Sequence, residues 1–494
     1  MLILLTIAAL IILCISQIDF RKIYLALKIP GPFPLPILGN ALLFYDKSPE
    51  EIRRIGEQLF EKYGNIFSAW MGPQFTVTIS DRKFVEYVLT SSKFNEKASP
   101  YSLLKPWLND GLLISKGSKW YQRRKIITPA FHFGVLDEYV RVFDRECIVF
   151  VEILSKFNSA DKVDLSDLIR LCSLDIICES AMGVNVNAQR NSDSEYVNAV
   201  DKMMSILNRR CFSIPHRLDL SFKFTSAYRE QTNCLKILHS FTDKVIKERR
   251  KRLLESSANM DETKSKKTLL DILLQSTIDG KPLTDKEIRE EVDTFMVEGH
   301  DTIKSALTFC FYAIAKHPEV QRKCFQEIRD VLGDDPMRPV TLKDLNNLRY
   351  LDLIIKETLR IFPPIPMLGR RNLKEASIGE YTIPKDTDVL IVTHFLTHNP
   401  KLFPEPLEFR PERFLEENSA DILAFISHFP FGAGLRSCIG HKYAILEMKA
   451  VITRILRHFD VSLAEESKAF PLLTYEIVLT SKEKIYFHLQ PRLY

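Results

Sequence analysis

"FPFGAGLRSCIGHK", residues 429–442, carries one cysteine among three glycines, an arginine and two phenylalanines. Glycine permits positive φ and tight turns, so such a backbone can wrap closely round a single sulfur and aim N–H groups at it. The stretch holds no second cysteine for a disulfide and no C-x-x-C pair for zinc. Nine cysteines (14, 147, 172, 178, 211, 234, 310, 324 and 438) are scattered along 494 residues. An odd number without a framework, and no Asn-x-Ser/Thr acceptor, fit a reducing, cytosolic setting for the body of the chain. The loop reads as one built to hold a thiolate against something large.

The rest of the composition is that of an ordinary globular protein, with 46% hydrophobic and 27% charged residues. A net charge of +5 is small for this length and gives no support to a nucleic-acid partner. Residues 1–18, "MLILLTIAALIILCISQI", contain no charge, and Asp19, Arg21, Lys22 and Lys28 follow. At 1.5 Å per residue this run covers about 27 Å, enough to cross a thin bilayer such as that of the endoplasmic reticulum. No basic segment precedes it and no small-residue cleavage site follows, so an uncleaved anchor is expected rather than a signal peptide. The trailing basic residues then place the body on the cytosolic side. Residues 19–40 form a basic and proline-rich hinge, in which "KIPGPFPLPILGN" at 28–40 predicts a stiff extended stretch.

Beyond residue 40 no linker marks a domain boundary, and the patterning is mainly helical with a minor β portion. "SPEEIRRIGEQLFEKYG" has a Ser cap, Pro at the first helical position and Gly64 as a stop. "NIFSAWMGPQFTVTIS" predicts a hairpin turning across Met71–Gln74. A polar loop is expected around 254–268, and strands at 379–393 and near the C-terminus. The longest helix is announced by a Thr284–Glu287 capping box with a Leu283–Ile288 staple, and runs to about Lys316 before Pro318. That is a rod of roughly 48 Å.

A lone thiolate beside an aromatic ring, held by backbone N–H groups, suits a haem iron. The order Phe431-x-x-Gly434-x-Arg436-x-Cys438-x-Gly440 resembles the cytochrome P450 superfamily of haem-thiolate enzymes, and the resemblance spans essentially the whole chain. Its other motifs are present. "KETLR" supplies Glu357 and Arg360, and "PERF" at 411–414 supplies Arg413. The resemblance implies that these three form a buried ion-pair cluster with a structural role. It makes Cys438 the axial ligand of haem b, with Phe431 beside it, and Trp120, Arg124, Arg370 and Arg436 the partners of the haem propionates. Guanidinium suits that task because it is permanently charged and donates in pairs to carboxylates. Lys116, Lys119, Arg123 and Lys125 look like a basic patch, on the side where this family receives an acidic electron donor.

Within "EVDTFMVEGHDTIKSA", Gly299 and Thr302 are expected to disturb the helical ladder and open a groove for dioxygen. The resemblance assigns Asp301 and Thr302 to the delivery of protons to dioxygen. Glu298 stands where most of the superfamily has a small residue. Together with "LDIICESAMG" and "RRKIITPAFHF" it looks like the family-4 branch, in which this glutamate can become an ester to a haem methyl group. Val297, Ile303, Leu435 and His441 depart from the usual residues of the branch, and the first two are expected to reshape the pocket.

The reading is a membrane-anchored monooxygenase of the endoplasmic reticulum, with residues 41–494 as one catalytic domain. It would act on a lipophilic fatty acid, hormone or xenobiotic. The chain has no dinucleotide or flavin fingerprint, so electrons would come from NADPH–cytochrome P450 reductase, with cytochrome b5 as a second donor. A reductase-independent isomerase or dehydratase, or a non-catalytic haem or lipid carrier, would leave the Asp301–Thr302 pair without a use.

Overall fold

The structure is a computed structural model that describes residues 19–45, 47–191, 194–258, 268–415 and 420–492. The apolar stretch 1–18 lies outside the described residues, as does most of the polar loop. Among the described residues no helix is long and apolar enough to cross a membrane.

The expected hinge is not extended throughout. Helix α1 (Phe20–Leu27) begins it, with the Asp19 carboxylate accepting from the Lys22 amide at 2.9 Å. Proline is absent from 20–27, so nothing there forbids the helix. Residues 30–34 are extended, 35–39 close into a tight turn with Leu35 and Gly39 exchanging backbone hydrogen bonds, and the whole stretch is strapped to the body. Gly31 has no room for a side chain, since a Cβ would lie 2.2 Å from the Ser68 carbonyl oxygen. Asn40 donates to the carbonyls of Pro32 and Phe33 and accepts from the Trp70 amide.

Helix α2 (Pro49–Tyr63) has the expected capping box at Ser48 and Glu51, and stops at Gly64 with φ 84°. Strands β1 (Ile66–Met71) and β2 (Gln74–Ile79) form the predicted hairpin, with Met71 opposite Gln74. The two-residue strand β3 (Glu96–Lys97) and helices α3 (Gly117–Ile127) and α4 (Leu165–Ser180) follow. Next come α5 (Glu195–Phe212) and α6 (Ser226–Ala258). The last extends five residues into the expected loop, 254–258. Helix α7 (Asp285–Lys316) has the predicted 32 residues, with the Thr284–Glu287 box closed. It is buried along most of its length and forms the spine of the main core, with Phe309 stacked on Phe362 at 4.6 Å.

Helix α8 (Arg349–Ile361) leads to β4 (Met367–Arg371) and β5 (Asp388–Val392). These complete a five-stranded sheet ordered β1-β2-β5-β4-β3, so residues 66–97 and 367–392 share one sheet across a long sequence gap. Its apolar faces, including Phe75, Val77, Val389 and Ile391, make a second core. Helix α9 (His441–His458) follows the cysteine loop, and the hairpin β6 (Leu473–Tyr475) and β7 (Leu479–Ser481) lies near the end.

The Glu357 cluster has the anticipated form. Glu357 and Arg360 are 0% exposed and Arg413 is 2% exposed. Arg360 is bidentate on Glu357 at 2.7 and 2.8 Å, and Arg413 reaches the same carboxylate at 3.2 Å. The remaining donors go to carbonyls of Thr397, Pro404 and Pro406, so one carboxylate and two guanidiniums knit α8 to the 404–413 segment.

Candidate active site

The cysteine loop is two short 3₁₀ turns, Phe429–Phe431 and Gly434–Arg436, joined through Gly432 and Gly434 at φ 72° and 69°. Both glycines hold conformations that side chains resist. Gly434 also passes so close to the helix Arg82–Thr90 that a Cβ would sit 2.3 Å from the Leu89 carbonyl oxygen. The Cys438 amide donates to Phe431 O at 2.7 Å, which closes the loop and leaves the thiol just before the N-terminus of α9. Phe431 stacks on His441 with ring centroids 4.0 Å apart. Cys438 alone among the described cysteines is exposed, yet it sits deep in the molecule, so the surface it presents is that of an interior cleft. That burial, reinforced by the charge of Glu298, pushes the thiol up to about 11, against the Gly440 amide and Arg124, which act the other way. Coordination to a metal would deprotonate it.

Cations converge on this sulfur. Arg124 lies one helical turn from Trp120 on α3 and donates to Ser437 O at 2.8 Å. Arg436 lies 4.1 Å from the centroid of the Trp120 ring and braces the carbonyls of Asn95 and Ser115. Arg370 is buried at 1% exposure on β4. A fourth cation was not read from the sequence. Lys97 on β3 pairs in register with Arg370, and its ammonium lies 4.8 Å from the Tyr101 ring centroid. Burial and the neighbouring Arg370 hold its pKa well below the usual lysine range, while Glu298 and Cys438 act in the opposite direction. Among the described residues none of these four cations has a carboxylate within ion-pair distance.

The expected basic patch is largely absent. Arg123 is 0% exposed and pairs with Glu287 at 2.5 Å and Glu291 at 3.6 Å. Lys119 pairs with Glu290 at 2.6 Å, and Glu291 also accepts from the Leu112 amide at 2.9 Å. Lys116 and Lys125 remain exposed. The other two basic residues bolt α3 to α7 instead, because α7 offers Glu287, Glu290 and Glu291 on the side that α3 approaches.

On α7, Glu298 and Thr302 are four residues apart and share a face. The Thr302 hydroxyl donates to Glu298 O at 2.8 Å. Glu298 is exposed only into the cleft, and burial raises its pKa to about 7 against the pull of Lys97. The helix is unbroken here, so Gly299 and Thr302 do not interrupt its ladder. Gly299 instead serves packing: a Cβ would meet Ile177 Cγ1 of α4 at 2.7 Å. Val297 and Ile303 are buried in the main core, about 100° to either side of the Glu298–Thr302 line. Asp301 is 7% exposed and turned toward Lys304, with Oδ1 4.0 Å from its ammonium.

The cytochrome P450 family model matches residues 29–489. The chain belongs to the cytochrome P450 family. It is similar to cytochrome P450 4d1 of Drosophila melanogaster, at 44% identity over 487 residues, covering 96% of this chain and 95% of that protein. Cytochrome P450 4d10 of Drosophila mettleri is 45% identical, covering 96% of this chain and 93% of its own. Cytochrome P450 4c3 of Drosophila melanogaster is 38% identical, covering 94% and 89%. Membership makes this cytochrome P450 a haem-thiolate monooxygenase that uses dioxygen, a lipophilic substrate and a redox partner, with haem iron held by a cysteine thiolate.

Proposed function

We propose that this cytochrome P450 is a microsomal enzyme that inserts one atom of dioxygen into a C–H bond of a lipophilic fatty acid, hormone or xenobiotic. Residues 1–18 anchor it in the endoplasmic reticulum membrane, and the 19–40 segment joins the anchor to a cytosolic catalytic domain, 41–494. Electrons come from NADPH through cytochrome P450 reductase, with cytochrome b5 as an accessory donor. What supports the reading is that Cys438 and Glu298 lie near enough to influence each other electrostatically, among Lys97, Arg124, Arg370 and Arg436, none of which has a carboxylate within ion-pair distance among the described residues. Four buried or half-buried cations without carboxylates suit a macrocycle bearing two propionates.

Cys438 is assigned as the residue whose thiolate would hold the haem iron, with Phe431 flanking it. Trp120, Arg124, Arg370, Arg436 and Lys97 are assigned to the propionates. When bound, haem supplies the iron at which dioxygen is reduced, and the thiolate donates the electron density that favours O–O cleavage. The Thr302 hydroxyl gives its one proton to Glu298 O at 2.8 Å, so donating into the cleft would require it to rotate off that carbonyl; Asp301, which faces Lys304, is assigned to resupply the proton. Incubation with reductase and NADPH across fatty acids, terpenoid hormones and insecticides should give an oxygenated product with NADPH consumed in proportion. Turnover of an organic peroxide without reductase, and none with NADPH, would overturn the reading.

Glu298 is the residue assigned to hold haem covalently, as an ester to a ring methyl. Forming that ester would oxidise the methyl by two electrons, with the enzyme's own dioxygen chemistry as the oxidant, so the bond would require turnover. After turnover, acid–organic extraction should leave haem on the wild-type protein and release it from Glu298→Ala. Complete release from the wild type removes the covalent bond and leaves the monooxygenase untouched.

A further inference from the structure

The cysteine loop is closed across its ends by two stacked rings. Phe431 stands seven residues before the thiol and His441 three residues after it. Their ring centroids are 4.0 Å apart and their planes 24° from parallel, and within that bracket the Cys438 amide donates to Phe431 O at 2.7 Å. His428 meets His441 edge-on, with centroids 5.5 Å apart and planes at 80°. The three rings make a pile that runs outward from half-buried Phe431 and His441 to exposed His428.

The loop beneath this pile is loosely filled. Chain neighbours apart, a Cβ on Gly432 would touch only Ser437 Cα, at 3.8 Å, and one on Gly440 only the Cys438 sulfur, at 3.9 Å. Gly440 caps α9 and directly precedes His441, so the open space beside the sulfur lies one residue from the stacked ring. Among the described residues the His441 side chain makes no hydrogen bond, and its ring is placed by Phe431, His428 and the start of the helix. Water and hydrogen bonds at a ligating sulfur change the electron density it gives to a metal, and so the potential of that metal. His441 is also one of the residues that depart from the usual pattern of the family-4 branch.

We propose that His441 is a positioning residue for the thiolate: stacked on Phe431, it keeps water from the side of the sulfur that Gly440 leaves open, and so sets the reduction potential of iron held by Cys438. The inference rests on the assignment of Cys438 as that ligand. The couple concerned is the one-electron ferric–ferrous change, with the redox partner as reductant and no proton moved. Water admitted to the sulfur would donate hydrogen bonds to it and hold back its negative charge. Less density would then reach the iron, which favours the ferrous state and raises the potential. The ring acts by its shape, so another aromatic side chain should serve in its place.

The test compares wild type, His441→Ala and His441→Phe as full-length holoproteins, by spectroelectrochemical titration and by resonance Raman of the iron–sulfur stretch. Neither measurement needs substrate or turnover. His441→Ala should favour the ferrous state about tenfold, a rise of ~59 mV for one electron, and should lower the stretching frequency. His441→Phe, which keeps a ring over Phe431, should return both to the wild-type values. If His441→Ala fails to fold or to hold haem, His441→Gln takes its place, since it removes the ring and keeps a side chain of similar reach. An unchanged potential and stretch in the ringless variant would overturn the proposal, as would a His441→Phe protein that matches it. All variants should keep the strongly red-shifted absorption of the ferrous carbon monoxide complex. A wild type without that absorption would instead defeat the ligand assignment, and this proposal with it.

Discussion

Cys438→Ala should fold, bind no thiolate-ligated haem and lose all monooxygenase turnover. The fold survives because the loop is held by its backbone: the residue-438 amide donates to Phe431 O at 2.7 Å, and Gly432 and Gly434 supply the left-handed turns. Alanine preserves all three. What disappears is the sulfur that the Gly440 amide and Arg124 face. The ferrous carbon monoxide complex should lose its strongly red-shifted absorption, and product formation with reductase should fall to background. A Cys438→Ala protein that retained that absorption would disprove the ligand assignment.

Glu357→Ala should be the most destabilising substitution of a non-ligand residue. It strips the carboxylate from Arg360 and Arg413, both essentially inaccessible, and also removes the acceptor of the Arg410 amide. Breaking a buried pair by deleting one partner costs about 3–5 kcal/mol, because the remaining charge stays buried without compensation. Here two guanidiniums lose the same partner. Against a typical total of roughly 5–15 kcal/mol, much of the protein should unfold or aggregate on expression. Urea unfolding monitored by circular dichroism would measure it, and a loss below about 1 kcal/mol would mean that carbonyl acceptors alone satisfy the two arginines.

The elements whose ends are written in local chemistry were legible from sequence. Thr284 with Glu287, Ser48 with Glu51, and Gly64 each close a helix terminus within a few residues, so no tertiary information is needed. The cysteine loop was legible for the same reason. Lys97 was not, because its place beside Arg370 depends on a strand pairing across more than 270 residues. Arg123 and Lys119 looked like solvated charges until α7 supplied three glutamates opposite them. Gly299 reads in sequence as a residue that disturbs the ladder, whereas its constraint is the approach of Ile177 from another helix. In each case the missing information was which element packs against which.

The bolt between α3 and α7 also works as a gauge. Its acidic half ends at Glu291, and the cleft-facing chemistry starts seven residues later at Glu298, about two helical turns or ~10.5 Å along the same rod. One residue inserted between them would rotate Glu298 and Thr302 by about 100° and slide them ~1.5 Å, while Arg123 stayed locked and kept its neighbour Arg124 beside the cysteine loop. Variation in this stretch is therefore confined to exchange of side chains. Divergent substrate preference has to be written by substitution here, and changes of length have to be accommodated elsewhere in the chain.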